Sequence, residues 1–308
     1  MKLVCVAALL ILVFNASFVL AQENWSGPII DVHMHGPLKE EWGPPIEMWL
    51  EKFDQLNVKK VVVAAYPENL AKWVPKAPKQ LIPSLMFPCF VPDIEHCFSG
   101  DADFPDVIWL RKEVQAGRIQ SFGEVVSELY GIFPGDAILE PYFALAEEFD
   151  IPFGLHMGPG PEWMVETTPI YSRRPEFQIS AGNPLELEPV LRRHPKLRLF
   201  VMHAGWPMGD EMLTILWHNP NVYIEVGNLQ NAINRAEYYR YLRRLVDAGF
   251  GDRIMYGSDV GLDTYGEGIR AIVDAEFLTE AQKRDILYNN AARFLRLTDD
   301  EISAHHRR

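Results

Sequence analysis

Eight short apolar runs recur along the chain, each followed by a longer stretch with helical spacing of apolar positions, and this alternation restricts the available folds. The runs are PIIDVHMH (28–35), KKVVVAAYP (59–67), IPSLMFPC (82–89), IQSFGEVV (119–126), IPFGLHMG (151–158), LRLFVMHAG (197–205), NVYIEVG (221–227) and RIMYGSDV (253–260). Several are nearly continuous in Val, Ile, Leu and Phe. Strands buried on both faces read this way, as they do in parallel sheets. Between them, GDAILEPYFALAEEFD (135–150) and NRAEYYRYLRRLVDAGF (234–250) carry the clearest helical periodicity. NPLELEPVLRRHP (183–195) and MGDEMLTILWHNP (208–220) are shorter and have Asn, Asp or Pro near their starts. TEAQKRDILYNNAARFLRL (279–297) opens with a Thr279-x-x-Gln282 capping pattern. Eight strands alternating with helices over about 270 residues predict an α/β protein built as a (β/α)8 TIM barrel. No Pro/Ser-rich linker and no internal repeat divides it, so a single domain over residues 22–308 is expected. The alternative, an open doubly wound sheet, needs a glycine-rich phosphate loop after the first strand, and MHGPLKEEWGPP (34–45) does not supply one.

Residues 1–21 have a different character. Lys2, an apolar stretch and a Val19-x-Ala21 ending form the pattern of a secretory signal peptide cleaved before Gln22, with an uncleaved membrane anchor as the alternative. Cys5 does not sit in a lipobox. The expected location is therefore periplasmic or extracellular, without stable membrane anchoring after cleavage. Cys89 and Cys97 are the cysteines left in the mature chain, and an exported protein can join such a pair as a disulfide or keep it reduced. Asn24-Trp25-Ser26 matches a glycosylation acceptor. The net charge of −13 argues against nucleic acid and anionic membranes as partners, since both call for basic patches. A small-molecule substrate is expected, and the sequence leaves homo-oligomerisation open.

The polar residues of the strands gather at one end. His33 and His35 close the first run, Glu124 the fourth, His156 the fifth, His203 the sixth and Asp259 the eighth. In a barrel those ends converge on one mouth. Residues two apart in a strand share a face, so His33 and His35 project together with Asp31 one step deeper. Alone, each residue has a plain structural reading as a hydrogen-bonded rim group, a turn or a cap. Together they make a nitrogen and oxygen donor set suited to Zn²⁺, and also to Mn²⁺, Fe²⁺ or Co²⁺. His194 and His218 read as solvent-facing caps at helix ends, and His305 and His306 as part of a frayed polar tail. His96 beside Cys97 hints weakly at a second metal site with Cys89. No G-x-S-x-G elbow is present, which removes a serine nucleophile of that kind.

DVHMHG, GLHMGPG, VMHAGWP and MYGSDVG, in that order, resemble the amidohydrolase superfamily, and most of all its amidohydrolase 2 branch. The resemblance covers essentially the whole mature chain. It implies that His33, His35 and Asp259 bind a metal in the barrel mouth, with His156 completing a mononuclear site and His203 contacting substrate. Glu124 stands where many binuclear relatives carry a carboxylated lysine, and resembles variants in which glutamate bridges two ions held also by His156 and His203. Glu124 as a support or structural strand residue is the alternative. The implied activity is hydrolysis of an ester, lactone, amide or phosphoester by water activated on one or two ions, Asp259 acting as base and then acid. Asp31 is expected to orient a histidine rather than bind metal. The same branch holds decarboxylases, and a non-catalytic metal-binding barrel is a third reading. Arg173, Arg174 and Trp206, in the loops after strands 5 and 6, are the candidate substrate-binding residues.

Overall fold

The computed structural model describes residues 25–37, 43–89, 97–98, 102–160, 176–259 and 261–307. The leader, Asn24, His96, Arg173 and Arg174 lie outside the described residues. Eight parallel strands form one sheet in sequential order: β1 (Ile29–His35), β2 (Val58–Ala65), β3 (Leu81–Phe87), β4 (Ser121–Val125), β5 (Phe153–His156), β6 (Leu199–Met202), β7 (Val222–Glu225) and β8 (Ile254–Met255). The sheet closes on itself beyond the short β8. Val32 N donates to Tyr256 O at 3.0 Å, and a parallel bridge joins Met34 to Asp259. All eight apolar runs are strands, and the (β/α)8 barrel expectation holds.

Both faces of these strands are covered, which explains their continuous apolar character. Phe87, Phe122 and Phe153 meet edge to face at 5.9–6.3 Å, and Phe143 from the helix Glu140–Phe149 lies 4.5 Å from Phe153. Such pairs add to the area they bury. The helix Ile46–Gln55 turns Ile46, Trp49 and Phe53 inward at spacings of three and four. Asn234 caps the helix Arg235–Leu245 by accepting from Ala236 N at 2.9 Å. Thr279 and Gln282 form the reciprocal capping box their spacing predicts.

Four local expectations are refined. The helix expected from 135 starts at Glu140, because Pro141 fits a first turn and would break a helix interior. His194 is buried rather than solvent-facing, with Nε2 2.9 Å from Glu140 Oε1 and Nδ1 3.2 Å from Glu147 Oε2. His305 and His306 end a capped helix, Asp299–His306, instead of a frayed tail; Thr298 caps it, and Tyr288 Oη meets His305 Nδ1 at 2.9 Å. Cys89 and Cys97 are joined by a disulfide with Cα atoms 5.7 Å apart, which leaves no thiolate for a metal site with His96.

Candidate metal centre

At the C-terminal end of the barrel, six side chains from five strand ends meet. His33 Nε2 and His35 Nε2 lie 3.1 Å apart, and Asp259 Oδ1 is 3.6 Å from the first and 3.2 Å from the second. Glu124 reaches them from β4, its Oε2 3.1 Å from His35 Nε2 and 4.0 Å from His33 Nε2. The other oxygen of the same carboxylate, Oε1, lies 3.0 Å from both His156 Nδ1 and His203 Nε2. The two carboxylate oxygens of Glu124 thus belong to two different histidine pairs.

Backbone geometry places these groups. His35 N donates to Asp259 O at 2.8 Å and Asp259 N to His33 O at 2.7 Å, so the segment after β8 is laced onto β1. Asp259 takes a positive φ of 65° there, and His203 one of 55° at the exit of β6. Asp31 departs from its expected role. Its Oδ1 accepts from the amides of His33 at 3.0 Å and Ser258 at 3.1 Å, and its Oδ2 from Tyr265 Oη at 2.7 Å. It therefore fixes the backbone of β1 and of the segment after β8 rather than an imidazole, and burial lifts its pKa to about 6.

The ring-orienting carboxylate is Glu225, at the end of β7 and missed by sequence reasoning. Fully buried, its Oε1 meets His33 Nδ1 at 3.2 Å and accepts from His203 N at 2.7 Å, and its Oε2 accepts from Gly227 N at 2.7 Å. Burial pushes its pKa up, but His33 and His203 outweigh that and hold it below the ordinary value. The signal was available as the lone carboxylate in NVYIEVG, at the same end as the other strand-end polar groups. Glu128, in the turn after β4, was missed too. It is buried with Oε1 3.4 Å from His156 Nδ1, and burial lifts its pKa to about 7. Trp206 donates its indole N–H to Glu237 Oε1 at 3.0 Å, on the helix Arg235–Leu245.

Whether this set suits a cation can be decided from proton placement. An ionised Glu225 assigns the His33 proton to Nδ1, and the Gly227 carbonyl, 2.9 Å from His203 Nδ1, assigns the His203 proton there as well. The Nε2 lone pairs of both rings are thereby aimed at other lone-pair donors: His35 Nε2 for His33, and Glu124 Oε1 for His203. A proton or a cation must sit between the members of each pair. Burial opposes charge on His35 and His203, yet Asp259 and Glu124 beside them raise both pKa values to about 10. His156 is also raised: burial works against it and Glu128 and Glu124 overcome it. Glu124, despite burial, is driven well below the ordinary carboxylate value by His156, His203 and His35. Nitrogen and oxygen donors that together demand positive charge fit a divalent cation.

The sequence pattern of the amidohydrolase family (Amidohydro_2) matches residues 111–297. No curated protein matches the chain. Among solved structures, a probable 2-pyrone-4,6-dicarboxylic acid hydrolase from Acinetobacter baumannii superposes with a TM-score of 0.62 at 14% identity, covering 87% of this chain and 99% of that one. A dihydroxybenzoic acid decarboxylase from Polaromonas sp. JS666, with bound manganese and the inhibitor 2-nitroresorcinol, superposes at 0.60 with 13% identity, over 90% and 99% of the two chains. A 5-carboxyvanillate decarboxylase from Sphingomonas paucimobilis does so at 0.59 with 13% identity, over 89% and 100%. At these identities the neighbours speak for the barrel alone, while the family pattern spans more than half of the sequence and takes in Glu124, His156, His203 and Asp259. The chain belongs to the amidohydrolase family.

Proposed function

We propose that the protein is a hydrolase working with two divalent ions. The observation that carries this reading is the division of Glu124, with Oε2 at His33 and His35 and Oε1 at His156 and His203. A lone ion needs no carboxylate shared between two donor groups. In this reading His33, His35, Asp259 and Glu124 hold one ion, and Glu124, His156 and His203 hold the other. Zinc is the first expectation from the donor types, with manganese, iron and cobalt to be compared.

Divalent ions bound there supply a Lewis acid and a water whose pKa falls toward about 7. Glu225 keeps the His33 ring in the tautomer that points Nε2 inward, and the Gly227 carbonyl does the same for His203. Asp259 is buried, but His35 and His33 hold its pKa below the ordinary value, so it stands ionised and able to accept a proton. It takes the proton of the attacking water and returns it to the leaving group. Near-complete burial of the cluster excludes bulk water and strengthens each of these interactions. The substrate class is an ester, lactone, amide or phosphoester. Export of the mature chain is supported by the leader pattern and is in keeping with the disulfide.

The deciding measurement is metal content per purified chain, alongside turnover of lactones, esters, amides and phosphoesters before and after chelation. Two ions, both diminished in Glu124→Ala, support the reading. One ion, unaffected by that substitution, sinks it. Decarboxylation is the second reading, favoured by the decarboxylases among the structural neighbours. CO2 release from an aromatic carboxylate by a one-ion protein would establish it.

A further inference from the structure

Glu128 occupies the single turn Ser127–Tyr130, four residues beyond Glu124, and only 1% of it is exposed. Among the described residues, no other group donates a hydrogen bond to either of its oxygens. The ion-pair neighbour it has is His156 Nδ1, 3.4 Å from Oε1, and that nitrogen already faces Glu124 Oε1 at 3.0 Å. One imidazole nitrogen carries at most one proton and cannot serve both carboxylates. A buried carboxyl with no hydrogen bond from another described residue is costly to ionise, and a cationic partner beside the second histidine pair would offset that cost.

The spacing identifies that partner. Bonds of about 2.1 Å from one ion to a nitrogen and an oxygen, meeting near the tetrahedral angle, set the two atoms about 3.4 Å apart. His156 Nδ1 and Glu128 Oε1 have this separation. Closing the angle toward a right angle gives about 3.0 Å, the distance from Glu124 Oε1 to His156 Nδ1 and to His203 Nε2. Charge points the same way. Two divalent ions bring four positive charges into a buried site where Glu124, Asp259 and Glu225 supply three negative ones, and Glu128 adds a fourth.

We propose that Glu128 is a direct ligand of the second ion, completing a set with His156, His203 and Glu124; this rests on the two-ion reading above. The full chain, its Glu128→Gln variant and its Glu128→Asp variant are stripped with a chelator. Each is then titrated with Zn²⁺ and with Mn²⁺, reading ions bound per chain and the affinity of each step. The native chain is expected to bind two ions. Glutamine keeps the shape but removes the charge, and aspartate keeps the charge but withdraws it by one methylene. Both should weaken the second step by more than the roughly 10–100-fold lost when a group that only orients a ligand is replaced, and leave the first unchanged. Thermal unfolding provides an independent readout. Metal-free Glu128→Gln should melt no lower than the native chain, because a neutral amide replaces a buried carboxyl that no other described residue hydrogen-bonds, while its rise in Tm on adding metal shrinks. Two ions in the native chain with second-step affinity unchanged in both variants overturns the assignment of Glu128 and leaves the two-ion reading standing. One ion in the native chain overturns both.

Discussion

Replacing Glu225 by glutamine preserves volume and tests the role given to this carboxylate. In the native protein its two oxygens face three donors: His33 Nδ1, the His203 amide and the Gly227 amide. A carboxylate can accept from all three. An amide cannot, because one end of it donates. With its NH2 toward Gly227 one buried donor is stranded, and in the reverse orientation two are. A hydrogen bond to a charged group contributes about 1.5–3 kcal/mol, and a buried donor left without an acceptor costs about 1–3 kcal/mol. Even the better orientation should therefore cost about 2.5–6 kcal/mol. At about 2 °C per kcal/mol for a large domain, the midpoint falls by roughly 5–12 °C. The same change removes the negative charge that raises the basicity of His33 Nε2, so metal affinity should drop by about 10–100-fold. Denaturant unfolding of the metal-free protein, followed by tryptophan fluorescence, measures the first effect, and competition against a chelating dye the second. Stability within about 0.5 kcal/mol of native, together with unchanged metal affinity, would refute the role given to the Glu225 carboxylate, since an amide cannot accept from all three donors and carries no charge.

Three further outcomes are expected. Replacing Cys89 and Cys97 together by serine opens a loop with a sequence separation of 8; stability should fall by about 2–3 kcal/mol on the loop-entropy account, and an unfolding midpoint equal to native would contradict it. Gly154→Ala puts a Cβ 2.6 Å from Met202 Cε and into the Phe200 ring, so a loss of about 1–3 kcal/mol is expected, and a melting point equal to native would show that β5 can give way. Glu301 accepts from the Thr298 amide and hydroxyl and from Lys60 Nζ, and its pKa is lowered to about 2 with the Thr298 amide as the main cause. A carboxyl depressed in the folded state adds stability above its unfolded pKa and loses it as pH falls toward the folded value. Glu301→Gln should accordingly flatten the acid limb between pH 4.5 and 2, read as amide exchange in the helix Asp299–His306; superimposable acid limbs would exclude this role.

What the sequence by itself determined was whatever depends on neighbours along the chain. Strand burial on both faces shows in the composition of each apolar run, and capping shows in the spacing of Thr279 and Gln282. His33 and His35 are legible because a strand sends alternate residues to one side, and the other strand-end groups because a barrel gathers those ends. Tertiary structure decided everything that depends on approach between strands far apart in sequence. Asp31 sits two residues from a histidine, yet bonds the backbone of β1 and of the segment after β8, while the ring of His33 is held by Glu225, 192 residues away. The division of Glu124 between two histidine pairs, the burial of Glu128 beside His156 and the inward placement of His194 are likewise set by which strands and helices meet. Side-chain direction within a strand is a local property with a period of two. Which side chain answers a buried charge is fixed by the registers of several strands at once, and that information exists only in the closed barrel.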